Sequence, residues 1–104
     1  MCQTQATRTV TVGNPEGIHL RAATLIAKLV RSHDARVVLR KENNKVEGTD
    51  VLQILSLGTA EGEQLVLEAT GNDAEKVLEA LARLFEENFP EDDGENMPAD
   101  DGPS

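Results

Sequence analysis

Aromatic side chains are almost missing from this sequence of 104 residues. It has no Trp and no Tyr, and Phe85 and Phe89 make up the whole aromatic fraction of 2%. Proteins that bind single-stranded nucleic acid commonly stack the bases on aromatic rings. This composition argues against such a stacking platform, and we expect no nucleic-acid partner.

Cysteine and long apolar runs are also scarce. Cys2 is the single cysteine, so the chain forms no internal disulfide and no thiolate metal cluster. We expect a reducing, cytoplasmic setting with neither a metal nor a cofactor. No apolar run approaches the roughly 20 residues of a membrane helix. The N-terminus also lacks the apolar core of a signal peptide, so we expect no membrane insertion.

Basic residues are absent from the C-terminal end. From Glu86 onward there are eight acidic residues and no Lys or Arg, whereas the whole chain has 10 basic and 19 acidic residues and a net charge of −9. Residues 1–85 therefore hold 11 acids against 10 bases and are nearly neutral. Residues 90–104 are rich in Pro, Gly, Asp and Glu, which predicts a disordered acidic tail. We expect residues 1–6 to be flexible and residues 7–89 to form one domain.

Hydrophobic periodicity predicts the element order β-α-β-β-α-β-α. Alternation of apolar and polar residues is typical of half-buried strands, and apolar spacings of three and four residues are typical of helices. Strands with one apolar face and helices with one apolar stripe predict an α+β fold, in which three helices cover one face of a four-stranded antiparallel sheet. The predicted segments are a strand over 8–12, a helix from Ile18 with Ala23, Ile26, Ala27 and Val30 inward, a strand over 35–40, a turn over 42–45, a strand over 46–48, a short helix capped by Asp50, a strand with Leu65, Leu67 and Ala69 inward, and a helix with Ala74, Val77, Leu78, Leu81, Leu84 and Phe85 inward.

The segment from Gly17 to Thr24 places His19 at the start of the first predicted helix. The unpaired N–H groups of a first helical turn, together with the positive end of the helix dipole, attract anions. An ordinary imidazole has a pKa of about 6.5, so its neutral form is available near pH 7 to take up a phosphoryl group. Arg21 could donate to the same phosphoryl oxygens. The alternative is a solvated histidine that only caps the helix.

The pattern Gly17-Ile18-His19-x-Arg21-x-Ala23-Thr24 resembles the active-site motif of HPr, the histidine phosphocarrier family of the bacterial phosphotransferase system. The segment from Asp50 to Gly58 is similar to the second-helix segment of that family. The resemblance covers roughly residues 7–89 and leaves out the acidic tail. It implies the HPr-like open-faced sandwich.

The resemblance implies that His19 accepts a phosphoryl group on Nδ1 from phospho-enzyme I. His19 would pass this group to a IIA component or another phospho-acceptor protein, so the chain would be a protein substrate and not a small-molecule catalyst. Arg21 would stabilise the phosphate, with the amides of Leu20 and Arg21 as backbone donors. We expect the protein to be a monomer. On the second helix, we expect the Leu52 side chain to be more exposed than that of Val51. The implied docking residues are Leu20, Thr24, Lys28, Arg31, Val51, Leu52 and Leu55.

Two positions depart from the family pattern. Ala22 stands where the family usually has proline, and unlike proline it has a backbone N–H near the expected phosphate. We expect His19 to stay phosphorylatable, with an altered rate of phosphorylation or an altered phosphohistidine lifetime. Asp50 stands where many members have a regulatory serine, so no serine kinase can act there. Aspartate and serine cap helices about equally well, but the permanent charge is expected to weaken docking to an acidic partner.

Two other functions remain open at this point. The chain could be an HPr paralogue that acts mainly as a regulatory protein-binding module with little phosphotransfer, which Ala22, Asp50 and the added tail favour. It could also be an α+β scaffold without phosphate chemistry, which the presence of both His19 and Arg21 argues against.

Overall fold

The computed structural model describes residues 4–90, and these form four strands and three helices. Residues 1–3 and 91–104 lie outside the described residues, and with them nearly all of the predicted acidic tail. Within residues 4–90, no helix has the length and apolar character needed to cross a membrane. In chain order the elements are β1 (Gln5–Thr11), α1 (Leu20–Arg31), β2 (Arg36–Lys41), β3 (Asn44–Glu47), α2 (Val51–Ser56), β4 (Gln64–Thr70) and α3 (Ala74–Glu86).

The four strands form one sheet in the order β1-β4-β2-β3, and every neighbouring pair is antiparallel. Along the central strand β4, Leu65, Leu67 and Ala69 are buried, whereas the residues between them are half-buried. Because successive side chains of a strand point to opposite faces, one face of the sheet packs on the helices and the other stays open. This confirms the predicted α+β open-faced sandwich.

The open face of the sheet carries charged pairs. Arg40 Nε lies 3.0 Å from Glu68 Oε2, and Arg36 donates to both carboxylate oxygens of Glu47. The Arg36 guanidinium, through this hydrogen bond, lowers the pKa of the Glu47 carboxyl from its ordinary value. Of these residues, Glu47 belongs to the edge strand β3, where a charged side chain also discourages edge-to-edge association.

The two long helices bury the stripes that their periodicity predicts. In α1 all four predicted residues are buried, together with Ala22, which is fully covered. In α3 the prediction is correct except at Leu84, which is only half-buried and packs against the margin of the core, while Ala82 is buried. Apolar stripes at a 3.6-residue period meet the sheet face and close the core.

Three predicted boundaries are wrong. The first strand begins at Gln5 and not at residue 8, because Ala6 pairs with Ala69 and packs against the core. Residues 1–3 of the N-terminal segment that we expect to be flexible lie outside the described residues. The first helix begins at Leu20 and not at Ile18, since His19 has an extended backbone and serves as the N-cap. The hairpin turn is shorter than expected, because Lys41 already pairs with Asn44.

The chain after α3 turns back into the core. Asn88 and Phe89 both adopt left-handed backbone conformations, with φ of 58° and 55°. This reversal buries Phe89, whose ring packs edge-on against Phe85 with 4.8 Å between the centroids. Edge-to-face packing is a favoured geometry for aromatic pairs. The last described residue, Pro90, is thereby brought back toward the start of α1.

Candidate functional site

The turn before α1 is held against the loop after α2. Gly17 has a φ of +67°, and a Cβ atom at this position would lie 2.2 Å from the Thr59 carbonyl oxygen. The next residue, Ile18, donates its N–H to that same oxygen at 3.2 Å. Only glycine fits a left-handed backbone in such close contact with another main chain. This contact sets where His19 enters α1.

The loop after α2 is itself braced by Glu63. The carboxylate accepts the Ala60 N–H at 2.7 Å and pairs with Lys41 Nζ at 3.0 Å. Lys41 also donates to the carbonyls of Leu57 and Gly58 at the end of α2. The hydrogen bond from Ala60, followed by the one from Lys41, lowers the pKa of Glu63 from its ordinary value. The loop that supports Gly17 is therefore stabilised most when Glu63 is ionised.

The His19 imidazole lies between two groups. Its Nδ1 accepts the Ala22 N–H at 3.2 Å, which makes His19 the side-chain cap of α1. Its Nε2 lies 3.5 Å from Glu16 Oε1, and a quarter of the His19 side chain is exposed. The imidazole is thus held at the helix N-terminus, where the dipole favours negative charge, while one edge stays open to solvent.

Arg21 lies one position into the first turn of α1 and reaches toward the end of the described chain. Its Nη1 donates to the Phe89 carbonyl at 2.9 Å and to the Pro90 carbonyl at 3.3 Å. The side chain is exposed, so these bonds hold the guanidinium in place without burying it. The two predicted chemical groups, imidazole and guanidinium, therefore share one helical turn.

The predicted docking residues on α1 and α2 differ in exposure. Among residues 4–90, Leu20 and Leu52 are the exposed large hydrophobic side chains, at 63% and 77%. Val51 and Leu55 are half-buried and pack against the core. The expectation that Leu52 is more exposed than Val51 is confirmed.

The polar residues of the same set have different local roles. Lys28 and Thr24 are exposed on α1, and the Thr24 hydroxyl donates to the Leu20 carbonyl. Arg31 extends from the end of α1 and donates to the Thr49 carbonyl at 2.9 Å. Because Thr49 immediately precedes the N-cap of α2, Arg31 ties the two helices together. It is therefore a structural contact as well as a surface charge.

Asp50 caps α2 as its position predicts. Its carboxylate accepts the Gln53 N–H at 3.1 Å from an extended backbone. The residue is half-buried and lies two positions from the exposed Leu52. A fixed negative charge therefore adjoins the apolar surface of α2.

Glu16 and Phe89 are parts of the site that the sequence analysis missed. Glu16 has one local signal, since it precedes His19 by three residues within a turn. Phe89 has none, because its return to the core depends on two left-handed residues after α3. The backbone donor at the imidazole is also Ala22, whereas Leu20 and Arg21 stay predicted donors to a bound phosphate.

A family model described as the PTS HPr component phosphorylation site matches residues 6–87. The chain belongs to the HPr family. It is 38% identical over 86 residues to the phosphocarrier protein NPr of Escherichia coli strain K12, covering 82% of this chain and 96% of that protein. It is 34% identical over 87 residues to the phosphocarrier protein HPr of Streptomyces coelicolor, covering 83% of this chain and 94% of that protein.

Solved HPr structures share the fold. An HPr from Thermoanaerobacter tengcongensis aligns with a TM-score of 0.78 and 31% identity, over 83% of this chain and 97% of that one. An HPr from Bacillus anthracis aligns with a TM-score of 0.75 and 27% identity, over 79% of this chain and 98% of that one. The chain is an HPr-like phosphocarrier protein of the phosphotransferase system, and its relatives include both HPr and NPr proteins.

Proposed function

We propose that this HPr-family chain carries a phosphoryl group on Nδ1 of His19, between phospho-enzyme I and a IIA component or another phospho-acceptor protein. The observation that supports this most is the position of the imidazole. His19 caps α1 with Nδ1 directed at the first-turn backbone, and one edge of the ring stays exposed. A phosphoryl group on this nitrogen would meet the positive end of the helix dipole.

Arg21 supplies the second charge for the phosphoryl group in this proposal. In phosphoryl transfer the negative charge spreads over three oxygens, and a guanidinium can bind two of them. The carbonyls of Phe89 and Pro90 hold the Arg21 guanidinium in the unmodified chain. Because the side chain is exposed, it can exchange these neutral acceptors for a charged phosphate, which is the stronger partner.

The docking surface is proposed to centre on Leu20 and Leu52. These exposed apolar side chains belong to α1 and α2, and Lys28 and Arg31 add positive charge on α1. An apolar centre with charged residues around it is typical of transient protein interfaces, and the basic residues suit an acidic partner surface. Asp50 opposes such a partner and replaces any serine switch. We propose that the chain works as a monomer in the cytoplasm.

Incubation with labelled phosphoenolpyruvate and cognate enzyme I tests this function. The full-length chain is expected to gain acid-labile, base-stable label, His19→Ala to gain none, and His33→Ala to gain as much as the wild type. Absence of label on the wild-type chain would contradict the proposal.

A regulatory binding module is the second candidate, favoured by the Ala22 hydrogen bond to Nδ1 and by Asp50. It predicts negligible label together with a partner protein that the wild-type chain retains and Leu52→Ala does not. Because Leu52 is 77% exposed, this substitution is expected to change the free energy of unfolding by less than about 0.5 kcal/mol. The two candidates are therefore separated by label and retention together.

A further inference from the structure

The two ring nitrogens of His19 have different neighbours. Nδ1 accepts the Ala22 N–H at 3.2 Å, and Nε2 lies 3.5 Å from a carboxylate oxygen of Glu16. A ring nitrogen that accepts an N–H carries no proton of its own, and a carboxylate attracts the nitrogen that does. Both neighbours therefore favour the same neutral tautomer, with the proton on Nε2 and the lone pair on Nδ1.

We infer that Glu16 is a positioning residue that favours Nδ1 as the phosphoryl acceptor, and that the Ala22 N–H keeps the Nδ1 lone pair hydrogen-bonded until a donor docks. This rests on the proposed function. During transfer the bond between phosphorus and the donor's leaving atom breaks, and that atom keeps the electron pair. The Nδ1 lone pair forms the new nitrogen–phosphorus bond. The proton stays on Nε2, so the ring gains a positive charge, which the Glu16 carboxylate stabilises.

The Ala22 hydrogen bond must break before Nδ1 attacks, because one lone pair cannot serve both bonds. A neutral hydrogen bond of ordinary strength corresponds to about a two- to tenfold slower attack. Ala22 is the third residue of α1, where a backbone N–H has no acceptor within the helix. Proline is tolerated in a first turn, so Ala22→Pro removes this hydrogen bond without removing a bond of the helix ladder.

Glu16 acts through charge and with a smaller effect. Its side chain is 76% exposed, and exposed ion pairs change rates by up to about fivefold. Glu16→Gln keeps the size and removes the charge. Glu75→Gln, an exposed carboxylate in the first turn of α3, is the matched control for a loss of net charge elsewhere in the chain.

Nitrogen-15 NMR of His19 at pH 8 measures the tautomer without any partner protein. The wild type is expected to carry its proton on Nε2. Glu16→Gln and Ala22→Pro are each expected to raise the share of the Nδ1–H tautomer. Ala22→Gly keeps the amide proton and is expected to keep the wild-type tautomer, as is Glu75→Gln. A wild-type chain with its proton on Nδ1, or one tautomer ratio in all five proteins, would overturn the inference.

Phosphoramidate, a small phosphoryl donor, then tests the reaction. The wild type is expected to be labelled on Nδ1. Glu16→Gln is expected to slow this labelling by up to about fivefold and to place some label on Nε2. Ala22→Pro is expected to be labelled about two- to tenfold faster on Nδ1 than Ala22→Gly. Equal rates and a single labelled nitrogen throughout would refute the selection. If these results hold while enzyme I gives no label, the proposed function fails and not the tautomer assignment.

Discussion

Replacing Gly17 by alanine is expected to separate the turn that carries His19 from the loop after α2. The new Cβ would lie 2.2 Å from the Thr59 carbonyl oxygen and 3.1 Å from the Ala60 Cα. Both are main-chain atoms, so no side chain can rotate away to relieve the overlap. The loops must move apart, and the hydrogen bond from the Ile18 N–H to the Thr59 carbonyl breaks.

The expected loss of stability has two parts. A left-handed backbone costs alanine about 1–2 kcal/mol relative to glycine. Loss of the Ile18–Thr59 hydrogen bond adds about 0.5–1.5 kcal/mol, so the total is about 1.5–3.5 kcal/mol. Gly58 is the matched control, because its φ is +61° and a Cβ there meets nothing within 4 Å. Gly58→Ala is therefore expected to lower the unfolding free energy only by the cost of the left-handed backbone, about 1–2 kcal/mol.

Urea denaturation of the wild type and both variants measures these losses. Gly17→Ala is expected to lower the unfolding free energy by about 0.5–1.5 kcal/mol more than Gly58→Ala. Hydrogen exchange adds a local test, since the Ile18 amide is expected to exchange faster in Gly17→Ala while the Val12 amide, bonded to the Glu63 carbonyl, changes less. Equal losses for the two glycines, with Ile18 still protected, would refute the contact between the loops.

Two further predictions concern the same loop and α2. The folded-state pKa of Glu63 is lowered by the Ala60 N–H and by Lys41. The ionised carboxylate therefore contributes its full stability above the ordinary carboxyl pKa, and this contribution is lost as the pH falls through the folded-state pKa. In acid titrations followed by circular dichroism, Glu63→Gln is expected to lose less stability below about pH 5 than the wild type, and an equal loss in the two proteins would contradict this. Asp50→Ser is expected to leave the unfolding free energy within about 0.5 kcal/mol, because both residues cap helices. Asp50→Ser is also expected to speed phosphotransfer from enzyme I by up to about fivefold, because the negative charge beside the docking surface is lost. An unchanged rate would show that the Asp50 charge does not weaken docking.

Much of the fold follows from local patterns. The alternation of Leu65, Leu67 and Ala69 and the helical stripe through Ile26 and Val30 each decide a buried face without reference to the rest of the chain. The boundaries were predicted less well, because pairing across the sheet extends β1 to Gln5. Such pairing depends on β4, which lies far along the chain.

The candidate site divides in the same way. His19 and Arg21 were predicted because a glycine turn followed by a helix start is a local signal. The Ala22 contact with Nδ1 and the Glu16 contact with Nε2 were not predicted, because they depend on the rotation of one imidazole ring. The hydrogen bond from Arg21 to the Phe89 carbonyl was not predicted either, because it forms only when Phe89 returns to the core.

The amino-acid sequence by itself determined the layers of this protein, the helix start at which the imidazole lies, and the uneven charge, which is nearly neutral over residues 1–85 and acidic from Glu86 onward. These depend on periodicity, turn residues and charge, which are properties of neighbouring positions. Only the tertiary structure decided which carbonyl oxygen makes Gly17 indispensable, which ring nitrogen of His19 faces the helix, and which carbonyls hold Arg21. Each of these is a contact between segments distant in sequence or a choice between two orientations of one side chain, so packing of the whole domain decides it.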